Sequence, residues 1–148
     1  EVGNAATLGR RIGLEQQQPF GDHRGSPTGI KGILSSPLSA AQLQEQLKSV
    51  LDHRILLASP NRDGLIQSIG IITGGANSEW RKAIADSLDA YITGEMSEHD
   101  WHESREAGIH MLAGGHNATE QFGIQALMEK TRETLPVECF FIPSDNPA

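Results

Sequence analysis

Cysteine is almost missing from this chain: Cys139 stands alone among 148 residues. A lone thiol excludes an internal disulfide framework and fits a reducing compartment, so a cytoplasmic protein is expected. Aromatic residues are also scarce, at 5%, and Trp80 and Trp101 stand at helix-staple or core positions, not in a base-stacking pattern. Basic residues are outnumbered, 12 Lys and Arg against 19 Asp and Glu, for a net charge of −7. With no basic cluster there is no phosphate-backbone footprint, and nucleic acid is not an expected partner. No run approaches the roughly 20 apolar residues of a membrane-spanning helix. No basic-then-apolar leader opens the chain, so no membrane partner is expected either. What is present is glycine, sixteen residues of it, within a chain that is 37% hydrophobic. A chain of this length buries roughly 68–70% of its unfolded surface, enough for one folded lobe.

Apolar spacing at Ala5, Leu8 and Ile12 predicts a short helix over residues 1–13, with Gly13 as terminator. Residues 15–37 carry four glycines and three prolines without a sustained period, which predicts loop or short strand and suggests a connector. Ser39 and Gln42 form a capping box, with Leu38 and Leu43 as its staple, and Leu43, Leu47, Val50 and Leu51 share one helical face. Residues 54–58 and 66–72 read as strands, separated by the turn chemistry of Asn61-Arg62-Asp63-Gly64. A helix follows over 78–88, then a strand over 89–93. Met96 and Trp101 staple a helix boxed by Ser97 and Asp100 and stopped by Gly108. The strand 109–113 leads through Gly114-Gly115 into a helix starting at Asn117, with Ile124, Leu127 and Met128 facing inward. Residues 137–142, including Cys139 as a core residue, are expected as the last strand. This alternation implies an α/β fold, a mixed or parallel sheet covered by helices.

Sites in such sheets gather at the carboxyl ends of strands. Three loops there join glycine to polar side chains: 73–77, 93–95 and 114–120. The first could cradle an anion on backbone N–H groups, or simply make a tight turn. His116 and Glu120 are candidate metal ligands, imidazole and carboxylate suiting zinc, iron or manganese. Their spacing alone carries nothing, since His99–Glu103 and His102–Glu106 share it. Glu120 also reads as the third residue of a box capped by Asn117. His99 and His102 read as a solvated helix face, or as proton carriers lining a cleft. Glu95 is a site carboxylate or a favourable charge before a helix. No Gly-x-Ser-x-Gly elbow supports a serine hydrolase.

Asp89-Ala90-Tyr91-Ile92-Thr93-Gly94-Glu95, His99-Asp100, Glu106-Ala107-Gly108 and Ala113-Gly114-Gly115-His116-Asn117-Ala118-Thr119-Glu120 together resemble the Nif-three-like dinuclear metal-centre family, whose members are often labelled GTP cyclohydrolase 1 type 2 homologues. Gly29 to Leu34, Thr73-Gly74-Gly75 and Asn146-Pro147-Ala148 add to the likeness, which is strongest with the short bacterial branch. The resemblance implies two similar α/β lobes, two divalent metal ions (Zn, Fe or Mn) in the cleft between them, and a ring-shaped homohexamer. It places metal ligands on His116 and Glu120, the latter suited to bridge both ions, while the family's histidine pair and aspartate have no counterpart here. Glu1-Val2-Gly3-Asn4 resembles the segment just after that aspartate. Residues 1–37 are therefore expected as a connector and the end of a first lobe, and 38–148 as an α/β lobe with half of the metal site. The implied function is a two-metal hydrolase acting on a small molecule, with Glu95 and His99 as candidate substrate or proton-transfer partners. The alternative is a non-enzymatic metal-binding or protein-interaction scaffold.

Overall fold

The computed structural model describes residues 2–61, 64–144 and 146. Its element order is α1 (Asn4–Arg11), β1 (Leu14–His23), β2 (Ser26–Leu38), α2 (Ala40–Leu51), β3 (Leu56–Ala58), β4 (Ile66–Ile71), α3 (Trp80–Ala85), β5 (Ala90–Thr93), α4 (Glu98–Glu106), β6 (His110–Ala113) and α5 (His116–Thr134). The strands form one sheet in the order β1-β2-β4-β5-β6-β3. Its centre is parallel, β4 with β5 and β5 with β6, and its flanks are antiparallel. Part of the Asn61–Gly64 turn between β3 and β4, at Arg62 and Asp63, lies outside the described residues.

The parallel centre follows from burial on both faces. All four residues of β5 and of β6 are buried, and successive side chains enter opposite cores. Ala90, Ile92 and Leu112 join Leu8, Ile12, Leu43, Leu47, Leu51 and Phe122, so α1, α2 and α5 cover one face. Tyr91 and Met111 join Phe20, Trp80, Ala83 and Ile109 on the other, where Met96 and Trp101 pack at the head of α4. The α2 capping box forms as expected, Ser39 and Gln42 exchanging backbone-to-side-chain hydrogen bonds.

Three expectations need correction. Residues 15–37, expected as loop or short strand, make the long β1–β2 hairpin, and β2 pairs directly with β4 in the common sheet. The reversal uses Arg24 (φ 54°) and Gly25 (φ 84°), consecutive left-handed residues of the kind that closes a two-residue hairpin. Pro19 is tolerated because β1 is an edge strand.

The expected strand over 137–142 does not form; those residues have no regular structure, Cys139 is half-buried, and Phe140 and Ile142 are 79% and 85% exposed. Both edges of β6 are already occupied, by β5 and β3. Helix α5 also turns a different face inward. It begins at His116 with Gly115 as N-cap and buries Ala118, Thr119 and Phe122, leaving Ile124 and Leu127 exposed.

Candidate metal centre

Because β4, β5 and β6 run parallel, their carboxyl ends open on one edge of the sheet. The three glycine loops meet there and are stitched through their backbones. The Gly94 N–H donates to the Gly74 carbonyl (3.0 Å), and the Gly115 N–H donates to the Gly94 carbonyl (2.9 Å). Two fully buried threonines complete the join. Thr93 Oγ1 donates to the Gly74 carbonyl (3.2 Å), and Thr119 Oγ1 accepts the Gly74 N–H (3.1 Å). Only glycine fits this convergence. At Gly74 (φ 72°) a Cβ would lie 2.2 Å from Glu120 Oε1 and 3.1 Å from His116 Nε2. A Cβ at Gly94 would lie 2.8 Å from the His116 Cα.

Three of the four sequence-nominated side chains come together on this platform. The His116 ring lies between two carboxylates, Nδ1 at 2.5 Å from Glu95 Oε1 and Nε2 at 3.2 Å from Glu120 Oε2. All three side chains are about half exposed. The hydrogen bond with Glu95 is the main cause holding the imidazole above its ordinary pKa of 6.5, against the opposing effect of burial; the negative charge of Glu120 adds to the rise. His99 sits elsewhere: its side chain is 63% exposed, its ring contact is with Asp100 at 3.6 Å, and it lines neither groove beside the cluster.

The capping-box reading of Glu120 lapses, because the helix starts one residue before Asn117 and Gly115 is its cap. Asn77 is likewise a brace. Its amide donates to Asp100 (2.6 Å) and to Ser97 (3.0 Å), while the Trp80 indole N–H donates to the same buried carboxylate (3.1 Å). Burial pushes Asp100 up, but these donors outweigh it and hold its pKa below 3.8.

His116 and Glu120 fit a divalent ion. Two donors about 2.1 Å from one ion, at tetrahedral or octahedral angles, stand roughly 3.0–3.4 Å apart, and Nε2 and Oε2 are separated by 3.2 Å. Among the described residues no group of three or more His, Cys, Asp or Glu side chains forms a metal cage. Glu95 adds no third donor at that point, because it holds the opposite ring nitrogen.

Sequence reasoning missed several contributors. Thr93 and Thr119 are ordinary residues in the sequence, and only the three-loop junction gives them their work. His53 packs over Gly115, 2.8 Å from where its Cβ would be, and with Arg54 lines a groove of about 450 Å³ that also includes Glu95 and His116. Phe141 and Ile142 line a second groove of about 490 Å³ that also includes Glu95, His116 and Glu120.

The family model described as Duf34/NIF3 (NGG1p interacting factor 3) matches residues 1–147. The chain belongs to this family. Among similar curated proteins are the GTP cyclohydrolase 1 type 2 homolog of Pasteurella multocida (strain Pm70), 38% identical over 100% of this chain and 59% of its own length, and that of Pseudomonas aeruginosa, 38% identical over 100% and 58%. The chain therefore spans a little under three fifths of these relatives. The solved structure described as protein ybgI, of unknown function, aligns over 100% of this chain and 58% of its own at TM-score 0.91 and 33% identity. Reduced HcgD from Methanocaldococcus jannaschii shares the fold, at TM-score 0.75 and 23% identity over 93% of this chain and 54% of its own. This Duf34/NIF3 fold is the mixed α/β arrangement described above.

Proposed function

We propose that this Duf34/NIF3 chain supplies half of a dinuclear metal centre in a hydrolase acting on a small molecule. The observation that carries the reading is the His116 Nε2–Glu120 Oε2 pair at ligand spacing, on a platform where three glycine loops converge. His116 and Glu120 would hold divalent metal (Zn, Fe or Mn), which when bound supplies a nucleophilic water at neutral pH and polarises a substrate oxygen. Glu120 presents Oε2 to His116 and Oε1 over Gly74, and its carboxylate would be a ligand able to serve both ions of such a centre. The groove lined by Ile124, Phe141 and Ile142 beside Asn117 and Gln121 offers a mixed apolar and polar wall on which a small substrate would rest. The relatives' cyclohydrolase name belongs to the same reaction class, water attack at carbon.

Elemental analysis of the chain beside a version carried to its relatives' full length tests the reading. Two metal ions per protomer are expected in the longer protein, and His116→Ala or Glu120→Ala should lose them together with any hydrolysis. Full metal content in both variants would overturn it.

A second reading, an interaction scaffold built as a homohexameric ring, is favoured by one observation. Ile124, Leu127, Leu135, Val137, Phe140 and Ile142 are large, apolar and exposed around α5 and the segment after it. Patches of this kind mark interfaces. Assembly and hydrolysis are compatible, and loss of turnover in a His116→Ala variant that still assembles would separate them.

A further inference from the structure

We propose that Glu95 is a positioning residue for the metal site: its carboxylate takes the hydrogen bond from His116 Nδ1–H and thereby leaves the Nε2 lone pair aimed at the Glu120 side, where a metal ion would bind. The inference rests on the metal-centre reading above and gives Glu95 a role distinct from ligand or proton carrier.

Four observations carry it. Glu95 meets Nδ1 at 2.5 Å, whereas Glu120 meets Nε2 at 3.2 Å, so the tighter partner decides which nitrogen keeps the proton in the neutral ring. The two residues are set opposite each other by the backbone: the Gly115 N–H donates to the Gly94 carbonyl at 2.9 Å, and His116 and Glu95 each follow directly. The pair lies against the Gly75 backbone, whose Cβ position would be in ordinary contact, 3.5 Å from both Glu95 Oε1 and His116 Cε1. His116 is the first residue of a 19-residue helix, and the positive end of that helix favours a carboxylate beside it.

A carboxylate on the far nitrogen of a ligating imidazole fixes its tautomer, holds the ring plane and raises its basicity, and removal of such a partner typically costs 10–100-fold in metal affinity. A carboxylate already committed to Nδ1 is poorly placed to take a proton from an attacking water. In water the Nε2–H tautomer of a neutral histidine predominates, so an Nδ1–H ring at this position is a signature of Glu95 acting on it.

In the version carried to its relatives' full length, zinc titration against a chromophoric chelator should show Glu95→Ala binding about 10–100-fold more weakly than wild type. Glu95→Gln should lose less, because its amide oxygen still accepts the Nδ1–H. His116→Ala and Glu120→Ala should lose the site. Without metal, at alkaline pH, nitrogen-15 NMR of the His116 ring should find Nδ1–H in wild type and a shift toward Nε2–H in Glu95→Ala, with circular dichroism unchanged. Wild-type zinc affinity in Glu95→Ala, or an Nε2–H ring in wild type, would overturn the positioning role and leave the metal reading standing. Unaltered zinc binding in both His116→Ala and Glu120→Ala would instead remove the metal reading, and this proposal with it.

Discussion

His116 and Glu120 were legible as a pair in the sequence because glycine pairs and strand ends surround them, but their partners were not. Thr119 looks like any helix residue, yet its hydroxyl joins the Gly74 loop to the start of α5. Thr119→Val keeps the shape and strands the Gly74 N–H, so a loss of about 1–2 kcal/mol is expected in denaturant unfolding. Gly74 is constrained twice, by its φ of 72° and by Glu120 Oε1 at 2.2 Å from a would-be Cβ. Gly74→Ala should cost about 1–2 kcal/mol from the left-handed backbone alone. The displaced Glu120 carboxylate should also weaken zinc binding, which a titration beside the melting curve would reveal. His99, like Glu95 a candidate substrate or proton-transfer partner, lies four residues further on. The helix that begins at Glu98 carries it off to a solvent-facing position beside Asp100.

Helix starts were the most legible elements, since a cap needs only three or four neighbouring residues. The boxes at Ser39 and Ser97 both form. Ser39→Ala should cost about 1 kcal/mol, read from the same unfolding curves. Asp100 does more than its box implies, gathering Asn77, Trp80 and the Ser97 N–H so that the α3 and α4 starts share one buried carboxylate. Asp100→Asn turns one acceptor into a donor facing donors, and a loss of about 2 kcal/mol at neutral pH is expected. Since its folded pKa lies below 3.8, the contribution of Asp100 is complete above that value and disappears as pH falls through the folded pKa. The gap between wild type and Asp100→Asn should therefore narrow in acid, which unfolding at neutral and acidic pH would check. Strands were less legible. The β1–β2 hairpin is interrupted by Pro19, Pro27 and several glycines, and its stability comes from pairing with β4, a partner some forty residues away in the chain.

Across the whole molecule, two features point outward from a single lobe. The His116–Glu120 pair needs further donors to make a tight site, and among the described residues none converge on it. The apolar surface around Ile124, Phe140 and Ile142 is exposed, as at surfaces that mark interfaces. If that surface belongs to a ring, sedimentation should give a mass near six protomers, and Ile124→Glu should lower it while leaving circular dichroism unchanged. A monomer in the version carried to its relatives' full length would defeat the ring reading.

The quoted motifs carried the resemblance to the family, and local chemistry in the sequence was enough to determine the alternation of helices and strands from α2 to α5, the two capping boxes and the glycine loops at strand ends. These are short-range properties, set by spacing, caps and turn residues. The tertiary structure alone decided that residues 14–38 are sheet, that 137–142 are not, and that Glu95 holds one nitrogen of His116 while Glu120 faces the other. Each of these depends on which strand edge is already occupied, or on where three distant loops are brought side by side, and no local pattern carries that information.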